Sequence, residues 1–469
     1  MSGMPEGWVL TTIGELCNLI NGKAFKPTDW TEDGLPIVRI QNLNRPDAPY
    51  NHFGGEVADK FKIDSGQLLF AWSGTPGTSF GAHVWNGGPA VLNQHIFKVE
   101  IDERSLDKAF FRRAINQTLD ELIHKAHGGV GLRHVTKGVF EGTEVPLPPL
   151  AEQRRIVAKL DQFSARVRAA KDHLAHVQTL ATRAKQATLA AAFRGELTAD
   201  WRELASATQT PISPREIKRR KGKVQDAPFE APFAIPTDWR WLRLPELGEL
   251  NRGKSKHRPR NDPALYGSDY PFVQTGDVRA ADRYLSEFSK SYSEFGLAQS
   301  RLWPLGTVCI TIAANIAETA ILAIEACFPD SVVGFTADHE RTSPEYIEYF
   351  IRTVRDELSA YAPATAQKNI NLETLYGVRA PVPPLEEQTE IVGRIEAAFA
   401  RIDRMVAEAA KALALLERLE QQLLAKAFRG ELVPQDPNDE PASALLARIR
   451  EARANAPKPK RTRKKKAAS

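Results

Sequence analysis

Pro148-Pro149-Leu150-Ala151-Glu152-Gln153, followed by Ile156-Val157, returns 235 positions later as Pro383-Pro384-Leu385-Glu386-Glu387-Gln388, followed by Ile391-Val392. Ala192-Phe193-Arg194-Gly195-Glu196-Leu197 returns at the same offset as Ala427-Phe428-Arg429-Gly430-Glu431-Leu432. No residue is gained or lost between the two signatures of either copy, so the length between them matters. The proline pair disfavours helix before it, and the glycine of the second signature supplies a stop. Between them Leu160, Phe163, Val167, Ala170, Leu174, Val177, Ala181 and Ala184 keep a 3-4 alternation. Ile391, Ile395, Ala398, Ile402, Met405, Ala409, Ala412, Leu416, Leu419 and Leu423 do the same in the second copy. The spacing predicts two helices of about 40 residues, about 60 Å each at 1.5 Å per residue. A long, Ala-rich seam present twice is better explained by the helices pairing antiparallel than by each packing on its own globule.

Upstream of each helix the repeat is fainter. Pro5, Trp8 and Glu15-Leu16 answer Pro236, Trp239 and Glu246-Leu247, and Leu35-Pro36-Ile37-Val38 answers Tyr270-Pro271-Phe272-Val273. Gln67 to Trp72, a polar loop, and Ala82 to Trp85 read as a hairpin; Thr307 to Thr311 and Thr319 to Glu325 take the same place in the second copy. Helical patterns over Leu106 to His124 and Pro344 to Ser359 make both globules mixed α/β. The fold class is therefore α+β: two mixed α/β domains in a pseudo-twofold repeat, separated by two long antiparallel coiled-coil helices. The expected boundaries are 1–147 for the first domain, 148–198 for its helix, 199–235 for a linker, 236–382 for the second domain, 383–433 for the second helix and 434–469 for a C-terminal segment with a basic tail.

The 469 residues, 42% hydrophobic and 26% charged, fit a multi-domain globular chain and exclude collagen or wholesale disorder. Cys17, Cys309 and Cys327 are too few and scattered for a disulfide framework or a thiolate zinc site, and they fit a reducing cytosol. No basic-plus-apolar leader pattern opens the sequence. The most apolar stretch, Cys309 to Phe328, contains Asn315, Glu318 and Glu325 and reads as two core strands around a turn. A cytoplasmic protein is expected.

Gly248-Glu-Leu-Asn-Arg-Gly253-Lys254-Ser255 matches the phosphate-loop pattern G-x-x-x-x-G-K-[ST]. Its context fails, because Lys256 to Pro263 follows where a helix should begin, and the first copy offers only Asn21-Gly22-Lys23-Ala24. Gly128-Gly129-Val130-Gly131 faces Ala364-Thr365-Ala366-Gln367 in the other copy and is not a strand-to-helix cofactor loop. His124, His127 and His134 lack a nearby acidic or thiolate partner. Both Pro-Pro pairs lead into leucine, unlike the Pro-Pro-aromatic sequence of adenine methyltransferases. The chain is expected to be non-catalytic and to bind no metal or cofactor itself.

This arrangement resembles the specificity subunit of type I restriction-modification systems. The resemblance rests on the paired Pro-Pro-Leu-x-Glu-Gln and Ala-Phe-Arg-Gly-Glu-Leu signatures, Trp8 and Trp239, and Gly66-Gln67-Leu68-Leu69 with Asn93-Gln94 in the first globule. It implies two target-recognition domains, each reading one half of a split double-stranded DNA sequence, and conserved helices that dock two modification subunits. Methyl transfer from S-adenosylmethionine, and cleavage with ATP and magnesium by restriction subunits, would belong to the partners. The second globule departs from the pattern, with Val333-Gly334-Phe335 set against Leu92-Asn93-Gln94. The competing readings are a single-chain restriction or methylation enzyme, against which the missing motifs argue, and a coiled-coil adaptor, against which two full globules argue.

The candidate DNA contacts are polar loop residues: Arg39, Gln41, Asn42, Ser73, Thr75, Asn93, Gln94, Arg133 and His134 in the first domain. In the second they are Lys254, Lys256, His257, Arg258, Arg260, Gln274, Thr275, Asn315, Gln367, Lys368 and Asn369. Gln and Asn suit adenine, Arg and Lys suit guanine, and all suit phosphate; the plain alternative for each is a solvated loop residue. Net charge does not locate the contacts. Of the overall +5, Lys458 to Lys466 holds seven basic residues and Arg215 to Lys223 six against one acid, leaving each globule at about −3. DNA-binding globules must therefore segregate their basic groups onto one face.

Overall fold

The computed structural model describes residues 4–45, 47–73, 80–125, 136–204, 210–216, 229–313, 316–355, 358 and 370–455. Two compact units emerge: Met1–His173 with Lys411–Ser469, and Leu174–Ala410.

In the first unit, strand Val9–Thr12 pairs antiparallel with Glu144–Leu147, so the globule closes where the chain leaves for the helix. One four-stranded sheet has the lateral order Asn18–Asn21, Ile96–Glu100, Leu68–Ala71, Gly81–Val84. The other runs Asn51–Phe53, Leu35–Val38, Ala90–Leu92, Lys62–Ile63. Leu68–Ala71 is buried at every position, as an apolar run covered on both faces should be, and it forms the expected hairpin with Gly81–Val84. Phe70 stacks on Phe140 at 3.7 Å between ring centres within a core that includes Ile13, Phe97 and Phe111. That core also takes in Ala442, Leu446 and Ile449 of the helix Ala442–Asn455, whose Arg450 holds Glu15 at 2.7 Å. The first part of the C-terminal segment is thus core of this unit; Lys458 to Lys466 lie outside the described residues.

The second unit repeats this plan. Arg240–Arg243 pairs with Arg379–Val382. The sheet Gly248–Arg252, Val332–Ala337, Val308–Thr311, Thr319–Leu322 has the same order as its counterpart and adds Tyr284–Leu285 at the edge. Lys290–Tyr292, Tyr266–Phe272, Ala326–Cys327, Leu302–Trp303 form the other. The expectation of a linker over 199–235 needs correction in part. Ala199–Leu204 is helical, Ile212 is buried in the unit's core, and Arg215 N–H donates to the Glu246 carbonyl at 3.1 Å. Phe229 and Phe233 also pack on Trp241 at 5.4 and 5.1 Å between ring centres, so the described parts of the stretch are held to the globule; 205–209 and 217–228 lie outside the described residues.

The two long helices, Leu150–Phe193 and Leu385–Phe428, have 44 residues each and stop as expected at glycines in the left-handed region, Gly195 at φ +78° and Gly430 at φ +74°. Their pairing is antiparallel within each unit. In the first, Lys171 meets Glu420 at 2.6 Å while Ile156 and Leu160 pack with Ala427. In the second, Lys185 meets Asp403 at 2.6 Å while Phe193 shares a core with Ile391 and Ile395. The seam is narrower than its alternation predicts: Ala184, Met405 and Leu419 face solvent. A 3.6-residue helix drifts out of a straight 3.5-residue register. Among the described residues no helix is long and apolar enough to cross a membrane.

Each helix opens on a buried carboxylate that clamps its globule. Trp8 Nε1 donates to Glu152 Oε2 at 2.9 Å, and Gln435 Nε2 donates to Oε1 at 3.2 Å. Trp239 Nε1 donates to Glu387 Oε2 at 2.8 Å, while Thr198 Oγ1 and Arg202 reach Oε1 at 2.7 and 2.8 Å. The next residue ties the helix to the loop before the globule's helix: Gln153 Oε1 accepts Asp107 N–H at 2.8 Å, and Gln388 Oε1 accepts the Thr342 hydroxyl at 2.9 Å. The Pro-Pro-Leu-x-Glu-Gln signature is therefore a joint between helix and globule.

Candidate nucleic-acid interface

The first globule carries a cleft of about 640 Å³ lined by Phe25, Pro27, Trp30, Ile37, Arg39, Ile40, Gln41, Asn44, Arg45, Asn93, Gln94 and His95. Local chemistry builds it. A 3-10 turn, Pro27–Asp29, is held by Lys26 N–H donating to Asp29 Oδ2 at 2.8 Å and delivers Trp30 to the rim. Strand Leu35–Val38 is followed by Arg39, the residue before a five-residue helix, Ile40–Asn44. Across the cleft, Asn93 closes onto Gly22, where a Cβ would come within 2.1 Å of the Asn93 carbonyl oxygen. Glycine there lets Lys23 N–H reach the Leu92 carbonyl at 2.9 Å.

Four of the expected contacts, Arg39, Gln41, Asn93 and Gln94, meet in this cleft, although they come from two segments about 50 positions apart. Among the described residues the lining contains two guanidiniums, four carboxamides and an imidazole, and no carboxylate. A globule of net negative charge thus keeps its acids off this surface. Arg39 lies over the Trp30 ring at 5.9 Å, a placement that orients its fork.

Asn42 has a different task. It is buried, its Oδ1 accepts the Arg39 backbone N–H at 3.1 Å, and its Nδ2 donates to the Ala48 carbonyl at 3.3 Å. It caps the short helix and has no edge left for a base. Ser73 is half-buried at the end of the hairpin strand. Thr75, Arg133 and His134 lie outside the described residues, as do His127, Gly128 to Gly131 and Ala364 to Gln367. Trp30, Asn44, Arg45 and His95 line the cleft without having been expected; Asn44-Arg45 lie just beyond Asn42 in sequence and His95 directly follows Gln94, whereas Trp30 sits among Asp29, Glu32 and Asp33 and gave no such signal.

In the second globule the basic loop is partly spent on itself. Arg260 pairs with Asp330 at 2.8 Å, Arg258 donates to the Ser255 carbonyl at 2.7 Å, and His257 Nε2 lies 2.7 Å from Asp262 Oδ2. Among the described residues Lys254 and Lys256 are exposed and without an ion pair. Gln274 precedes the helix Thr275–Ala280 and Thr275 begins it. Asn315, Gln367, Lys368 and Asn369 lie outside the described residues.

Hydrogen-bond register corrects one sequence correspondence. Gly22 N–H donates to the Ile96 carbonyl and Ile96 N–H to the Asn93 carbonyl; Gly253 N–H donates to the Val332 carbonyl and Val332 N–H to the Pro329 carbonyl. The counterpart of Asn93-Gln94 is therefore Pro329-Asp330, five positions before the expected Gly334-Phe335, which lie inside a strand. The same register disposes of the phosphate-loop match. Gly248–Arg252 is a strand, and a Cβ on Gly253 would meet the Pro329 carbonyl oxygen at 2.3 Å, the same close approach that Gly22 makes.

A duplicated α/β module joined to paired long helices is the class that this fold defines. The model of the type I restriction modification DNA specificity domain matches residues 5–178 and again 236–410. The chain belongs to this family, the non-catalytic DNA specificity subunits of type I restriction-modification systems. It is 27% identical over 484 residues to the EcoBI specificity subunit of Escherichia coli, covering 98% of this chain and 95% of that one. Its fold is similar to the HsdS subunit of Thermoanaerobacter tengcongensis, with a TM-score of 0.61 at 23% identity over 92% of this chain and 98% of the other. It is also similar, at a TM-score of 0.66 and 22% identity over 92% of this chain and 100% of the other, to a chain solved in work on complex assembly and conformational transition of the type I R-M system.

Proposed function

We propose that each globule reads one half of an interrupted, asymmetric DNA sequence, that the paired helices set the gap between the halves, and that they dock two modification subunits. The observation that carries this reading is the carboxylate-free cleft on a globule of net charge about −3, furnished with the side chains that hydrogen-bond base edges and phosphates. Two related but differently furnished globules suit two unlike half-sites. The docking role draws on the helices: Leu180, Met405 and Leu415 are 59%, 63% and 65% exposed, apolar surface beyond what the helices cover on each other. S-adenosylmethionine, ATP and magnesium are then the partners' cofactors, and the complex works in the cytoplasm on duplex DNA. Lys458 to Lys466 and Lys218 to Lys223 serve as nonspecific phosphate contacts.

The test is co-expression of the full chain with its modification subunit and genome-wide mapping of methylated adenines. The expected result is one bipartite motif with a fixed gap, absent when either chain is made alone. Methylation by this chain alone, or a motif with no second half, overturns the reading.

A further inference from the structure

The two globules present different side chains on one shared frame. Leu35–Val38 and Tyr266–Phe272 run parallel to Ala90–Leu92 and Ala326–Cys327 respectively. Each is preceded by a 3-10 turn with proline at its first position, Pro27–Asp29 and Pro263–Leu265, and an aromatic residue follows each turn, Trp30 and Tyr266. After the strands, Arg39 (φ −113°, ψ 166°) and Gln274 (φ −108°, ψ 168°) have nearly the same backbone conformation and each immediately precedes a short helix. Each backbone N–H donates to the side chain three residues on, Asn42 Oδ1 at 3.1 Å and Asp277 Oδ2 at 2.7 Å. With the backbone pinned alike in both copies, what differs is the side chain: a guanidinium in one, a carboxamide in the other.

We infer that Arg39 and Gln274 are the same specificity position of the two globules, Arg39 reading a guanine in one half-site and Gln274 an adenine at the pseudo-equivalent place in the other. This rests on the DNA-reading function proposed above. A guanidinium pairs with guanine O6 and N7, whereas a carboxamide pairs with adenine N6 and N7, each through two hydrogen bonds that the wrong base cannot complete. Arg39 stands in the acid-free cleft beside Gln41 and Gln94, and among the described residues no carboxylate forms an ion pair with it, so its donors remain for a ligand. The Trp30 face supports the plane of the guanidinium without using those donors.

The experiment compares the methylation motifs of the full chain and its Arg39→Gln and Gln274→Arg variants, each co-expressed with the modification subunit. R39Q should change one base pair of one half-site from a guanine preference toward adenine, and Q274R should do the reverse in the other half-site. Each preference should move by roughly 5- to 150-fold, with the gap unchanged. Duplexes substituted one base pair at a time, bound by the purified complexes, supply the same reading where methylation is slow. Binding that weakens equally on all sequences marks a phosphate contact and overturns the inference, as does an unchanged motif. If R39Q does not fold, Q274R decides: an unaltered second half-site overturns it. A wild-type bipartite motif with no guanine in one half and no adenine in the other refutes the inference alone, whereas no bipartite motif at all refutes the reading beneath it.

Discussion

Replacing Glu387 by alanine tests whether the helix-opening carboxylate clamps its globule. Glu387 is fully buried, and three groups converge on it: the Trp239 indole at 2.8 Å, the Thr198 hydroxyl at 2.7 Å and the Arg202 guanidinium at 2.8 Å. Truncation leaves a buried indole N–H and a buried hydroxyl unsatisfied, at about 1–3 kcal/mol each. It also strands a guanidinium whose side chain is 21% exposed, which recovers part of its hydration. A loss of about 3–5 kcal/mol from the second unit follows, in the range for breaking a buried charge pair. The counterpart E152A strands the Trp8 indole but no charge, since the exposed Gln435 amide keeps its bond to the Gly430 carbonyl at 2.6 Å, and should cost the first unit about 1–3 kcal/mol. Native-state hydrogen exchange on the full chain reads the two units separately. In E387A, amides of Val308–Thr311 and Val332–Ala337 should lose on the order of 10²-fold or more in protection while those of Leu68–Ala71 keep theirs. Equal losses in the two variants, or full protection in E387A, would refute the reasoning.

Burial raises the Glu152 carboxyl above its ordinary 4.5, more than the bonds from Trp8 and Gln435 lower it. A raised folded-state value means that the charged form costs stability: the cost is absent below the ordinary value and grows as pH climbs through the raised one. E152Q should therefore match the wild-type chain at pH 4 and gain first-unit stability toward pH 8 in paired thermal melts; a constant difference across that window contradicts the sign. Gly195→Ala places a Cβ at φ +78° and 2.6 Å from Pro236 Cγ, so it should cost more than the roughly 1–2 kcal/mol of the left-handed conformation alone. Denaturant titration followed by tryptophan fluorescence measures it, and a neutral result means the stop is not built as described. Inserting one helical turn, about 6 Å, into either long helix should change the preferred gap and leave both half-sites intact; site selection showing altered half-sites with the old gap refutes the spacing role.

Much of the fold is legible in the chain because it is written twice. The Pro-Pro and Gly195 or Gly430 boundaries, the Leu68–Ala71 hairpin and the 44-residue helices all depend on interactions within a few turns or across one tight loop, which local sequence encodes. The candidate contacts were only half legible. Arg39 and Asn93 share a cleft because their strands are neighbours in a parallel pair, and no periodicity reports that. Asn42 looks like a reader by residue type and is a cap by geometry, since its amide bonds depend on where the fold puts the Ala48 and Pro49 carbonyls. The displaced match of Asn93 to Pro329 has the same origin: the loops before it differ in length between the copies, so residue counting slips where hydrogen-bond register does not.

By itself the sequence determined the duplication, the hairpins and the length of the long helices, because each follows from local chemistry repeated at a fixed offset. Only the tertiary structure decided that Ala442–Asn455 completes the first unit's core and that Gln435 and Arg202 meet the buried carboxylates Glu152 and Glu387. It alone brought Arg39, Gln41, Asn93 and Gln94 to one acid-free surface. Those partners lie tens to hundreds of residues apart, and their meeting is settled by which apolar faces must be covered and which buried polar groups must be satisfied once the whole chain has closed.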